Sequence, residues 1–368
     1  MNFSLQKLFS RFDWLLLVSI LLLLGLSLAV LYPISQENSN FNLDKDHFLK
    51  QLIFAVAGLV IFFIFSALDY RILKSYSNLL FFAGIIILVL VLFVGKVIRG
   101  TTGWIGWGEF RFQPIEPFKI IIVIGLAKYF SLHQRAAASF KQVLYSLVPV
   151  GFSVALIMAQ PDLGSALVII FCWLAVLVIS GVNKKHLFIL ALAGILICFL
   201  SWNLLLKNYQ KERLVTLFHP TADPQGAGYN VLQSTVAVGS GGFWGKGLGH
   251  GSQSQLNFLP EKHTDFIFAV ISEELGLGGA IFAFLFLLLI IMRFLRIAKN
   301  SRDNFGKLLV GGLASIIFIQ TLVNIGMNVG MVPVAGLPLP FLSYGGSSLL
   351  TMMITAGIVE NVHRLSRA

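Results

Sequence analysis

Asp265, Glu273 and Glu274 stand close together in EKHTDFIFAVISEELG, residues 261–276, just where a long apolar run begins. Carboxylates in such a run cost free energy unless they face a cavity, a buried partner or a chemical step. Two readings compete for Asp265. In one, Thr264 or Asp265 caps the following helix by accepting backbone N–H bonds. In the other its carboxylate does chemistry at a membrane edge, where Glu261, Lys262 and His263 crowd further ionisable groups. Glu273 and Glu274 lie about 12–13 Å further along a helix. They are rotated by about 80° and 180° from Asp265, so a straight helix cannot bring them into a close dyad with it. They read as groups that pair with a partner, or that shape and neutralise a cavity beneath Asp265.

A second constellation is FRFQPIEPFKIII, 110–122. Glu116 and Lys119 are three apart, hence neighbours on a helix face and able to pair. Pro114 and Pro117 suit a first turn. The pair is either a self-neutralising helix end or a positive site for an anionic substrate, with Glu116 holding Lys119 in place. Arg99 and Arg111 stand near it, and Trp104 and Trp107 read as interfacial anchors. In AQPDLGSAL, 159–167, Pro161 ends one span and Asp162 is placed to cap the next. In VPVAGLPLPFLSYGGSSLL, 332–350, three prolines and a glycine stiffen a loop, and SYGGSS suits close helix packing. Asn324 and Asn328 share a face of the preceding span and are placed to bond to that loop. These polar groups gather at one face, not at the midplane where secondary transporters hold their coupling sites. A site there meets a substrate lying in the outer leaflet.

The elements that must position these groups are membrane spans. The 368-residue chain is 57% hydrophobic and 12% charged, outside the range of soluble globular proteins. Apolar runs recur at roughly 13–32, 48–68, 77–95, 115–132, 142–160, 163–181, 185–204, 265–295, 306–329 and 340–362, each able to cross about 30 Å of hydrocarbon. The fold class is therefore all-α: one polytopic domain, 1–368, of about ten transmembrane helices. The first run is too long for the core of a cleaved signal and reads as a retained span. The net charge of +11 comes from Lys and Arg in short loops, a topological pattern and not a nucleic-acid footprint. It places both termini in the cytoplasm. Residues 205–264, between spans 7 and 8, form a large extracytoplasmic loop. Its aromatics and glycines read as a mobile, amphipathic lid folded onto the membrane surface. The run 265–295 would be about 46 Å long as a helix, so it tilts or bends near Gly276, Gly278 and Gly279. Cys172 and Cys198 fall inside apolar runs and read as reduced core thiols. No Cys or His spacing suggests a metal site.

FQPIEPFK, QPDLG, HPTADPQGAGYN, GSGGFWGKGLGHGSQSQLNFLPEKHTDFIFAVISEELG and NIGMNVGMVPVAGLPLPFLSYGGSSL occur in this order along the chain. Together they resemble the SEDS family, the shape, elongation, division and sporulation membrane proteins, and within it the elongation branch. The resemblance implies a peptidoglycan glycosyltransferase of the bacterial cytoplasmic membrane that polymerises lipid II, an undecaprenyl-pyrophosphoryl disaccharide-pentapeptide. It implies a class B penicillin-binding protein as partner, beside other elongation-complex membrane proteins. The family's essential aspartate matches Asp265, and its Glu and Lys on the fourth span match Glu116 and Lys119. Turning an α-linked sugar pyrophosphate into a β-linked glycan inverts the anomeric carbon and needs one base, the role expected of Asp265. Lys119, helped by Arg213 or Lys262, would offset charge on the departing pyrophosphate. Asp162, Ser343 and Tyr344 complete the candidate substrate contacts. No tightly bound cofactor is implied, and a divalent cation such as Mg or Mn is a candidate helper. Ile115 stands where many members have serine, and Gly103 where some have arginine. The alternatives are a lipid II flippase and a non-catalytic scaffold for the penicillin-binding protein.

Overall fold

The computed structural model describes residues 12–36, 47–98, 101–107, 110–133, 139–204, 211, 216–217, 227–259 and 261–367. Long helices occupy all ten places where apolar runs were read. They are α1 (Trp14–Gln36), α2 (His47–Ala67), α3 (Arg71–Val94), α4 (Ile115–Leu132), α5 (Phe140–Ala159), α6 (Leu163–Ile179), α7 (Lys184–Leu204), α10 (Ile267–Lys299), α11 (Asn304–Asn328) and α12 (Gly346–Ser366). Between α7 and α10 lie α8 (Ala227–Ser240) and the short α9 (Ser252–Gln255). Among the described residues six helices, namely α1, α2, α3, α5, α10 and α11, are long and apolar enough to cross a membrane.

The all-α expectation needs one correction. Between α3 and α4 lies a three-stranded antiparallel meander of β1 (Lys96–Ile98), β2 (Thr101–Trp107) and β3 (Phe110–Phe112). Trp104 pairs with Lys96, and Ile105 with Phe112. The segment is rich in β-branched and aromatic residues, which suit a pleated surface, and its strands are too short to show up beside the spans. Thr102 N–H donates to Gln160 O at 3.3 Å, and Gln160 Nε2 donates to Leu88 O at 3.0 Å, tying the sheet to the bundle. Strand β3 runs directly into α4 and so sets where Glu116 begins.

Helix α11 is the buried centre, packed against α10, α6 and α4. Gly312 allows this approach: a Cβ there would lie 2.5 Å from Val123 Cγ1. Small residues at such contacts are how membrane helices come close. Helix α12 packs on α2 in the same manner, with Gly357 against Phe62.

Helix α10 bends, as its length and glycines suggested. Gly276 breaks it with φ 65° and ψ −160°. The break leaves backbone groups without helical partners, and the glycine-rich run 241–249 supplies them. Lys246 N–H donates to Glu273 O at 3.0 Å, Gly247 N–H to Glu274 O at 2.9 Å, and Leu277 N–H to Gly242 O at 2.9 Å. A Cβ on Gly276 would fall on the Gly245 amide nitrogen. Gly276→Ala is therefore expected to cost about 1–3 kcal/mol through strain in a region open essentially to glycine alone. A lowered thermal midpoint in detergent would register it, and an unchanged midpoint would mean the break relaxes freely.

Candidate active site

The starts of α4, α6 and α12 and the end of α11 meet at one end of the bundle, and the candidate residues collect there. Asp265 lies before the first turn of α10. The cap reading does not hold: the helix begins at Ile267, its N-cap is Phe266, and no side chain caps it. What fixes Asp265 is its backbone. Its carbonyl accepts from Asn324 Nδ2 at 2.9 Å and Asn328 Nδ2 at 3.1 Å. Asn324 Nδ2 also donates to Leu337 O at 2.7 Å, so both asparagines bond as their shared face suggested, one of them to the stiff loop. The Asp265 carboxylate is half-buried, with Oδ2 3.8 Å from where a Cβ on Gly336 would sit.

The residues next to Asp265 are held as firmly. Ser343 Oγ donates to Thr264 O at 2.6 Å and accepts from Leu339 N–H at 2.7 Å. Tyr344 N–H donates to His263 O at 2.8 Å, and its ring lies beside those of His47 and His263, which stack at 4.2 Å. Ser343 is buried. Its hydroxyl is engaged within the protein, and what it does here is position the Asp265 segment. Lys262 is also buried, with Nζ donating to Ser254 O at 2.5 Å.

From Ser343 the same loop reaches the second constellation. Ser347, in the first turn of α12, accepts from Gln113 N–H at 3.0 Å, and Gln113 O accepts from Glu116 N–H at 3.1 Å. Lys119 Nζ donates to Glu116 Oε1 at 2.7 Å, with the two side chains 0% and 3% exposed. Glu116 Oε2 is buried without a hydrogen-bond partner. Gln113 Nε2 also reaches Asp162 Oδ2 at 3.4 Å, and Asp162 caps α6 through Ser165 N–H at 2.9 Å and Ser165 Oγ at 2.8 Å. The capping role read for Asp162 is thus present. Arg213 and Arg99 lie outside the described residues. Arg111 is exposed on β3.

Of the two readings for Glu273 and Glu274, the structure bears out pairing with a partner: they hold the glycine-rich run and short α9. Glu273 accepts from Lys246 Nζ at 2.8 Å, Gln253 N–H at 2.9 Å and Ser254 N–H at 3.0 Å. It caps α9 from another helix, because Gly251 at the N-cap brings no side chain. Glu274 accepts from Ser254 Oγ and Gln255 Nε2, each at 3.1 Å. The stretch 242–255 of the supposed lid is therefore bonded down onto α10. Glu273→Gln is expected to raise amide exchange across 246–256 by about tenfold, the loss of a charge-assisted bond. Unchanged protection would show that backbone bonds alone hold the run.

Sequence reasoning passed over two amides. Gln113 lay inside a quoted motif without a role. Gln51 binds Ser343 O and Ser27 Oγ, each at 3.3 Å, and Ser27 Oγ donates to Leu342 O at 2.6 Å. A lone buried amide in an otherwise apolar span was the signal available for it.

Comparison with known proteins bears on what this site does. The family model for FtsW/RodA/SpoVE cell cycle proteins matches residues 13–368. Peptidoglycan glycosyltransferase MrdB of Escherichia coli is 40% identical over 306 residues, 83% of this chain and 82% of that protein. Stage V sporulation protein E of Bacillus subtilis is 39% identical over 361 residues, 96% of this chain and 98% of that protein. A solved chain from a peptidoglycan synthase complex that coordinates polymerization and crosslinking superposes with a TM-score of 0.80 at 31% identity, covering 96% of this chain and 98% of its own.

Proposed function

Since the chain belongs to the FtsW/RodA/SpoVE family of cell cycle proteins and is a peptidoglycan glycosyltransferase, we propose that it polymerises lipid II into glycan during cell elongation, with Asp265 as the general base. The bond made joins the acceptor sugar's 4-oxygen to the donor's anomeric carbon. The bond broken frees undecaprenyl pyrophosphate. Asp265 takes the 4-hydroxyl proton, and attack from the face opposite the leaving group turns the α-linkage into β. Lys119 offsets charge on the leaving pyrophosphate, and Lys262 or Arg213 assists. The observation that carries this reading is the double clamp of Asn324 and Asn328 on the Asp265 backbone, which leaves the carboxylate half-buried at the end of the bundle where Glu116 and Lys119 also lie.

A divalent cation such as Mg or Mn fits as a companion of the pyrophosphate, since Mg typically takes one or two carboxylates plus substrate phosphates. Among the described residues no three His, Cys, Asp or Glu side chains converge as an all-protein site would require. The topology that suits this chemistry has ten spans, both termini cytoplasmic and 205–264 outside, consistent with basic residues clustering at 293–307. A class B penicillin-binding protein is the proposed partner, to cross-link the product.

The test is glycan formation from labelled lipid II by purified protein, with and without a class B partner whose transpeptidase site is blocked, and Asp265→Ala run alongside. Long glycan from wild type and none from the variant is the expected outcome. Absence of glycan from folded, partner-bound wild type would overturn the polymerase reading in favour of a flippase or scaffold.

A further inference from the structure

The other end of α10 and α12, away from Asp265, holds a feature that polymerisation does not use. A cavity of about 140 Å³ lies there, lined by Arg293, Arg296, Ile297, Asn300, His363, Ser366 and Arg367. That equals the liquid volume of about four to five waters, room enough for a phosphate group.

Cations at helix C-termini have an ordinary explanation, because they oppose the negative end of the helix dipole. Three features go beyond it. First, three guanidinium groups and a histidine line one cavity instead of dispersing over the surface. Second, among the described residues Arg293 alone of the three arginines has a carboxylate partner: its Nε donates to Asp13 Oδ2 at 2.9 Å. Arg296 and Arg367 are exposed and make no ion pair among the described residues. Third, His363 is 8% exposed, and its Nε2 is buried without a hydrogen-bond partner. A buried, unsatisfied ring nitrogen is costly, and a turn of the ring toward an oxyanion in the cavity would relieve it.

Among the described residues the two acids nearest the cavity already act on its lining, Asp13 on Arg293 and His363, and Glu360 on Arg293, so they offset part of its positive charge. Asp13 is engaged by Arg293, and Glu360 Oε1 accepts from Asp13 N–H at 3.1 Å. Neither residue lines the cavity. Residues 1–11, which precede Asp13, contain no Asp or Glu. Guanidinium groups match phosphate oxygens with paired N–H donors. We propose that this cavity binds a phosphate group, supplied by a lipid headgroup or by a soluble phosphate compound.

The experiment uses the full chain, purified free of lipid in neutral detergent, as wild type and as Arg296→Gln, Arg367→Gln and Lys299→Gln. Lys299 is an exposed cation at the same helix end that does not line the cavity. All three substituted side chains are exposed, so folding is not at stake. One arm measures retention of phosphatidic acid against phosphatidylcholine by native mass spectrometry; the other measures binding of inorganic phosphate by calorimetry. Expected is binding of at least one phosphate probe, weakened about tenfold by Arg296→Gln or Arg367→Gln and unchanged in Lys299→Gln. Binding in the lipid arm alone assigns the headgroup as source, and binding of inorganic phosphate assigns a soluble one. Failure of wild type to bind either probe would overturn the proposal. So would equal weakening by Lys299→Gln, which would mean diffuse attraction to a positive surface.

Discussion

Asp265→Asn is expected to lower glycan polymerisation by about 10²–10⁴-fold, the usual worth of a general base, while the protein stays folded and bound to its partner. The bonds that place the residue make this a clean substitution. Asn324 and Asn328 hold the Asp265 carbonyl oxygen, and Ser343 holds that of Thr264. None of these bonds uses the carboxylate. Asparagine keeps the shape and the backbone clamp but cannot take the proton. The loss should fall on kcat with KM little changed, since the missing interaction forms only in the transition state. Asp265→Glu should recover part of the rate, because it restores a base about one carbon–carbon bond out of place. Polymerisation by the asparagine variant at the wild-type rate would remove Asp265 from the chemistry.

Much of the fold was legible because its signals are long. Ten apolar runs gave ten long helices, six of them among the described residues long and apolar enough to cross a membrane, since a helix satisfies its own backbone without water. The Glu116–Lys119 pair and the Asp162 cap were legible for the opposite reason: each joins residues three apart, so local geometry decides it. Asn324 and Asn328 were half legible. Their shared face was plain, and so was one partner, the stiff loop at Leu337. Their second partner, the Asp265 carbonyl, lies about sixty residues away and depends on tertiary packing. The sheet at 96–112 was missed because its strands are short and sit between stronger helix signals. That Glu273 and Glu274 pair was legible, but with whom was not. Their acceptor duties toward Lys246, Gln253, Ser254 and Gln255 exist only because Gly276 breaks α10 and the glycine-rich run folds into the gap.

Lys119→Met is expected to destabilise the protein by about 3–5 kcal/mol, because it strands a buried carboxylate. Glu116 Oε2 already lacks a partner, and the substitution would take away the lysine bond to Oε1 as well. Such a loss does not measure the worth of the pair, since removing both charges together often restores stability. Glu116→Gln/Lys119→Met should therefore recover most of the thermal midpoint lost by Lys119→Met alone, with the double-mutant cycle giving the coupling. Polymerisation should not recover with it. An electroneutral, refolded site lacks the ammonium proposed to meet charge gathering on the departing pyrophosphate. If activity returns together with stability, Glu116 and Lys119 serve only to neutralise each other at a helix end. If stability returns alone, the buried pair keeps a cation ready for the anionic substrate, and Glu116 is the residue that makes its burial affordable.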